Sequence, residues 1–197
     1  MNKTVKKSEI TKERIDKVAR NLFRKRGFRL VTMRDIATGA GVPVSVLYYY
    51  YRSKDDLYTE ITYQEVLQMF QRLRQRADLS LERPLEDVFT DLLAVRAPQN
   101  LTPDELALYR TSILEWLGTR GDTQLTRRLR ALIEAGKQAW ISELEKHAGS
   151  QVPVQGCVVS LVYEYLEHET INMLFGIRTF DAWRVRQEVR HILYGPV

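Results

Sequence analysis

Apolar residues recur at intervals of three and four along almost the whole chain, and no segment alternates apolar with polar residues in a run rich in β-branched side chains. That spacing gathers the apolar positions on one side of a helix and predicts an all-α fold of about nine helices. The first helix is expected from Ser8 or Thr11 to Arg26, with Ile15, Val18, Ala19, Leu22 and Phe23 on one face and Lys12, Arg20, Arg24 and Lys25 on the other. Gly27 can supply the positive-φ residue that ends it. A short second helix follows Thr32, whose hydroxyl can cap free backbone N–H groups, with Asp35 favourable to the positive end of the helix dipole. Met33, Ile36, Ala37 and Ala40 line its inner face, and Gly41 breaks it. Pro43 suits the first turn of a third helix ending near Tyr51. Ser53 reads as the cap of a fourth, running to about Ala77 with Asp55 and Asp56 in its first turn. Further helices are expected near 84–96, 103–118, 122–147, 154–176 and 181–193, with starts marked by Thr102-Pro103-Asp104-Glu105, by Asp122 and by Asp181.

Charge changes the picture once it is divided along the chain. Residues 1–56 hold 14 Lys and Arg against 6 Asp and Glu, whereas residues 57–197 hold 16 against 19. A charge run by itself is usually a solvated face, but this one coincides with a helix, a glycine-containing turn and a second short helix. Such a unit buries one face of each helix and pushes the second outward, where a DNA major groove is wide enough to hold it. The rest of the composition bounds the class. A length of 197 residues excludes a large multidomain enzyme. The single Cys157 excludes an internal disulfide or a multi-cysteine zinc site, and points to a reducing compartment with Cys157 as a small buried hydrophobe. Residues 1–20 are basic without the apolar stretch of a signal peptide, so the expected location is the cytoplasm. The longest uncharged apolar stretch, 152–163, falls short of the roughly 18–20 residues that span a bilayer, so no membrane association is expected.

The stretch Thr32-Met33-Arg34-Asp35-Ile36-Ala37-Thr38-Gly39-Ala40-Gly41-Val42-Pro43-Val44-Ser45-Val46-Leu47-Tyr48-Tyr49-Tyr50-Tyr51-Arg52-Ser53-Lys54-Asp55-Asp56-Leu57 closely resembles the DNA-binding signature of TetR-family transcriptional regulators. Ile15, Ala19, Leu22, Phe23 and Gly27 extend the resemblance upstream, so that it covers about residues 10–60. It implies a helix-turn-helix domain over residues 1–53 and a helical effector-binding and dimerisation domain over 54–197. By position, Thr32 and Lys54 are implied as phosphate contacts at two helix N-termini, and Arg34 as a side chain able to reach guanine N7 and O6. Val44, Ser45, Val46 and Tyr48 match base-reading positions; Tyr49 and Tyr50 match positions that touch the backbone. Leu47 and Tyr51 belong to the core. Pro43 departs from the usual Ser or Thr, and Val44 and Val46 stand where polar or small residues are frequent. Apolar contact with thymine methyl groups is the expectation there, with Arg34 and Tyr48 doing the polar reading.

For the larger domain the resemblance implies a homodimer, with the last two helices of each subunit forming a four-helix bundle, and a small, apolar or aromatic effector whose binding releases a near-palindromic operator. The fourth helix then joins reader to sensor. Val158, Leu161, Val162, Tyr165, Met173, Trp183, Val189 and Ile192 are the candidate interface residues on the strength of the resemblance, although such stripes taken alone are more often monomer core. Tyr63, Met69, Phe70, Phe89, Tyr109, Trp116, Trp140, Tyr163 and His168 are the candidate pocket residues, since bundle pockets are apolar with a few polar groups. No cofactor and no metal is expected. A carboxylate-bridged metal enzyme needs Glu-x-x-His on two helices, and only Glu188–His191 has that spacing; Glu164 and His168 at i, i+4 form the other pairing. Gly136-Lys137 lacks the rest of a phosphate loop, and catalytic residues are not expected. A membrane-surface adaptor is the second rival, because the first helix backs Leu22 and Phe23 with Lys and Arg.

Overall fold

A chain whose apolar residues share helical faces closes its backbone hydrogen bonds within each segment and then buries those faces against one another. The computed structural model describes residues 3–77, 80, 83–117, 121–148 and 156–195, and among them finds nine α-helices and no strand. In chain order these are α1 (Lys3–Arg26), α2 (Met33–Ala40), α3 (Val44–Tyr50), α4 (Lys54–Arg76), α5 (Leu85–Ala94), α6 (Pro103–Trp116), α7 (Gln124–Ala148), α8 (Gly156–Leu174) and α9 (Ala182–Tyr194). α1 begins earlier than its spacing predicts, because no Gly or Pro precedes Ser8 to stop it. α7 begins later than Asp122, because Thr123 takes the cap: its Oγ1 accepts from the Thr126 N–H at 3.0 Å. Two 3₁₀ turns, Phe28–Leu30 and Pro98–Asn100, are too short to leave a hydrophobic period and were not predicted.

The chain forms two compact units, Met1–Glu65 and Val66–Val197. In the first, α1, α2, α3 and the beginning of α4 surround Ile15, Ala19, Ile36, Leu47 and Leu57, all essentially inaccessible to solvent. α2 and α1 approach closely at Gly39, where an added Cβ would stand 2.8 Å from Val18 Cγ1. Tyr51 is 3% exposed, and its hydroxyl donates to Asp16 Oδ1 at 2.5 Å. Burial first, and that bond second, push the phenol's pKa well up, so it stays protonated.

In the second unit, Leu85, Phe89, Leu92 and Leu93 of α5 pack into one core with Val162, Leu166 and Met173 of α8 and Val185, Val189 and Leu193 of α9. This packing bears on three of the expected interface residues. Val162 and Val189 are 0% exposed and Met173 is 3% exposed, so all three point into their own subunit and have no surface to offer a partner. One helical stripe fits either use; here α5, α8 and α9 pack these three side chains into one core.

Glu105 caps α6 from within. Its carboxylate accepts from the Thr102 N–H at 3.0 Å and from Arg76 at 2.9 and 3.1 Å, while Thr102 Oγ1 accepts from the Glu105 N–H at 3.3 Å. Burial alone would raise its pKa, but the Thr102 and Arg76 hydrogen bonds outweigh it and hold the carboxyl at about 2. A depressed carboxyl stabilises the fold above its unfolded value near 4.5, and that contribution is lost as pH falls toward 2. Acid titration followed by circular dichroism is therefore expected to show the second unit losing about 2 kcal/mol over this window. Glu105→Gln should start less stable at neutral pH and lose less on acidification; an identical acid profile for the two proteins would remove Glu105 from the account.

Candidate functional site

The candidate surface in the first unit is built by two local devices. At the start of α2, Thr32 and Asp35 form a reciprocal cap: Thr32 Oγ1 accepts from the Asp35 N–H at 3.1 Å and Asp35 Oδ2 accepts from the Thr32 N–H at 2.9 Å. The Thr32 backbone bond, ahead of its hydroxyl bond, lowers the Asp35 pKa. At the end of α2, Gly41 adopts φ 61° and ψ 41°, a left-handed conformation that glycine takes without a side-chain clash. Its N–H donates to Thr38 O and that of Val42 to Ala37 O, closing the helix and turning the chain into α3. Pro43 stands just before α3 with no side-chain cap bond.

α3 has only seven residues, too few to be stable alone, so its burial decides its orientation. Leu47 is 0% exposed, and Val44 packs half-buried beside it on the core. Ser45, Tyr48 and Tyr49, spaced i, i+3 and i+4, are exposed, Tyr48 by 52% and Tyr49 by 80%. Val46 is half-buried. The four tyrosines thus divide: Tyr48 and Tyr49 face out, Tyr51 faces in, and Tyr50 is a brace. The Tyr50 hydroxyl donates to Ser8 O at 3.1 Å, and its ring meets that of Tyr49 edge-on with centroids 5.1 Å apart. Arg34 on α2 is exposed. The Lys54 ammonium lies 2.9 Å from Phe28 O, 3.0 Å from Val31 O and 4.3 Å from the Phe28 ring centre, so it pins the segment before α2 to the start of α4. Nothing in the spacing of the sequence foretold that engagement.

The second unit encloses a cavity of about 220 Å³. Phe70, Tyr109 and Tyr163 of the expected pocket set line it together with Leu92, Ile113 and Leu132. Phe70 and Tyr109 meet edge-on at 5.6 Å. The remaining members stand elsewhere: Met69 and Phe89 are wholly buried in side-chain packing, Tyr63 lies in the part of α4 that belongs to the first unit, and His168 is exposed on α8. The side chains of Trp116, Trp140 and Cys157 lie outside the described residues. Sequence reasoning missed Arg96 and Glu167, which line the same cavity 3.4 Å apart. The one available signal was an arginine directly following the apolar stretch Leu92–Val95.

Of the expected interface residues, Leu161 and Trp183 are exposed by 58% and 74%, and Val158, Tyr165 and Ile192 are half-buried against the α5–α8–α9 core. The ammonium of Lys137 bonds Glu164, and Arg184 bonds Glu188. Among the described residues, no group of three His, Cys, Asp or Glu side chains could hold a metal ion, and no helix is long and apolar enough to cross a membrane.

A helix-turn-helix unit of this kind is one that DNA-binding proteins use to place the second helix in the major groove. Residues 15–61 match the family described as "Bacterial regulatory proteins, tetR family". The "HTH-type transcriptional repressor KstR2" of Mycobacterium tuberculosis is 38% identical over 69 residues, 35% of this chain and 34% of that protein. The matched segment thus spans about a third of the length of these curated relatives. Two solved structures share the fold across nearly the whole chain. The multidrug binding protein EbrR complexed with malachite green has a TM-score of 0.61 at 15% identity, covering 94% of this chain and 98% of that one. The transcriptional regulator FadR from Bacillus subtilis, in complex with stearoyl-CoA, has a TM-score of 0.52 at 13% identity, covering 94% and 99%. The family match thus covers residues 15–61, and the likeness to these solved structures over nearly the whole chain is one of fold.

Proposed function

We propose that this protein is a cytoplasmic, homodimeric transcriptional repressor that binds a near-palindromic operator through α3 and leaves it when a small, largely apolar effector enters the second unit. The observation that carries the reading is the outward ridge of Ser45, Tyr48 and Tyr49 on a helix whose opposite side, at Leu47, is fully buried. A major groove about 12 Å wide accepts a helix presented in this way. The excess of positive charge in residues 1–56 supports the same partner, since a duplex is a dense line of phosphates. A relative named as a repressor, and solved structures named as a multidrug binding protein complexed with malachite green and as a transcriptional regulator in complex with stearoyl-CoA, support the effector response.

Roles follow from exposure. Thr32 and the N-terminus of α4 meet phosphates; Arg34, Ser45 and Tyr48 reach base edges; Tyr49 meets the backbone while Tyr50 holds it in place. Lys54 shapes the segment before α2 as well as adding positive charge, and the half-buried Val46, with Val44 behind it, offers methyl contact to thymine. Leu161 and Trp183, flanked by Val158, Tyr165 and Ile192, form the face that meets the second subunit. Two copies matter because one helix buries too little surface for specific binding, whereas two can occupy half-sites about 34–36 Å apart on one face of the duplex.

Selection of bound duplexes from a random pool tests this directly: a near-palindrome is the expected product, and a pool that remains random at low ionic strength would reject the function. On the selected operator, Tyr49→Phe should weaken binding to all sequence variants alike, whereas Arg34→Ala should weaken it by about 1–3 kcal/mol and flatten the preference at one base pair. Gel shift across an operator mutant set reads both. Equal, sequence-independent losses from the two changes would undo this division of labour.

A further inference from the structure

The cavity of the second unit is lined mostly by apolar side chains; of its polar residues Gln71 and Arg74 are exposed, whereas Arg96 and Glu167 form a nearly buried ion pair. Arg96 Nη1 stands 3.4 Å from Glu167 Oε1, with only 13% and 18% of the two side chains exposed. Tyr109 and Tyr163 line the same cavity as this pair. At 3.4 Å the contact is longer than the roughly 2.7–2.9 Å of a closed charge-assisted bond, so a hydroxyl oxygen lying to one side of it can reach both members.

We propose that the effector is a net-neutral, predominantly apolar molecule ending in a hydroxyl that lies against one side of the Arg96–Glu167 pair and bonds both members, and that this pair rejects carboxylates and amines of the same shape. The inference rests on the assignment of this cavity as the effector site. A hydroxyl accepts from the guanidinium and donates to the carboxylate at once, which leaves no polar group of the pair unpaired. A ligand carboxylate that reaches Arg96 must lie beside Glu167, and a ligand ammonium that reaches Glu167 must lie beside Arg96. Repulsion between like charges is weakly screened in a buried site, so each charged ligand brings a cost that the neutral one avoids. At about 220 Å³ the cavity is smaller than the roughly 300–1,000 Å³ typical of drug-sized ligands, which favours a body of one ring with a short chain.

Isothermal calorimetry on the full chain at neutral pH with para-butylphenol, para-butylbenzoate and para-butylbenzylamine tests the inference, since the three share a body and differ in charge. The phenol is expected to bind at least about tenfold more tightly than either charged analogue. Glu167→Gln should raise benzoate affinity by about tenfold and leave phenol affinity within about threefold, and the wild-type comparison stands even if that variant does not fold. Benzoate binding as tight as phenol binding in the wild type would overturn the charge selection; if Leu132→Trp, which fills the cavity, then abolishes both, the cavity's role as effector site survives. Failure of all three compounds to bind at millimolar concentration would overturn the selection and the site together.

Discussion

Leu47→Ala is expected to abolish operator binding and to lower the stability of the first unit by about 2–5 kcal/mol, the usual cost of truncating a fully buried leucine. The effect is large because α3 has no side-chain cap at Pro43 and only seven residues, so Leu47 is its main attachment to the core formed by Ile15, Ile36 and Leu57. A loss of this size is a substantial part of the 5–15 kcal/mol that holds a domain together. Tyr48→Ala, one position on, should behave oppositely. Its side chain is 52% exposed, so the melting temperature should stay unchanged while operator affinity falls by roughly 10- to 100-fold. Circular dichroism melts paired with DNA titration separate the two variants. Tight binding by Leu47→Ala, or unfolding of Tyr48→Ala, would mean that α3 does not present the face described.

Phe89→Ala is expected to cost about 3–5 kcal/mol, almost all of it from the second unit. The ring is wholly buried where α5 meets α8 and α9, and its removal leaves a void among Val162, Leu166, Val185 and Val189. Calorimetry should show the transition of the second unit moving down while that of the first stays in place. Because the proposed subunit contact lies on α8 and α9, the same variant should dissociate at lower dilution in analytical ultracentrifugation and bind the operator less tightly. A change below about 1 kcal/mol would mean that the core can collapse around the gap.

Legibility in the sequence followed the range of the interactions. Thr32 with Asp35, Gly41 and Thr102 with Glu105 act within a turn of the chain, and each stands in the structure as its spacing predicts. The helices of the second unit were equally readable, yet the faces of α8 were not. Leu161 faces out, Val162 and Leu166 enter the core, and Tyr163 lines the cavity, so apolar residues surround the helix and period alone cannot say which neighbour each one meets. The tyrosine run shows the same limit, since the brace from Tyr50 to Ser8 joins residues 42 apart in sequence. Arg96 and Glu167 are 71 residues apart, and an arginine after the apolar stretch Leu92–Val95 was the one local mark of the pair. Local caps and periods build the elements; contacts between distant helices choose which side chains are left free to act.

The central claim is that two copies of α3 lie in successive major grooves on one face of a duplex. Ser45→Cys in a Cys157→Ser background, coupled to an iron chelate that cuts DNA, reports where that face sits. Two clusters of cleavage about one helical turn apart, related by the operator's dyad and each centred in a major groove, are predicted. A single cluster, cuts centred in the minor groove, or scattered cleavage with no dyad would contradict it.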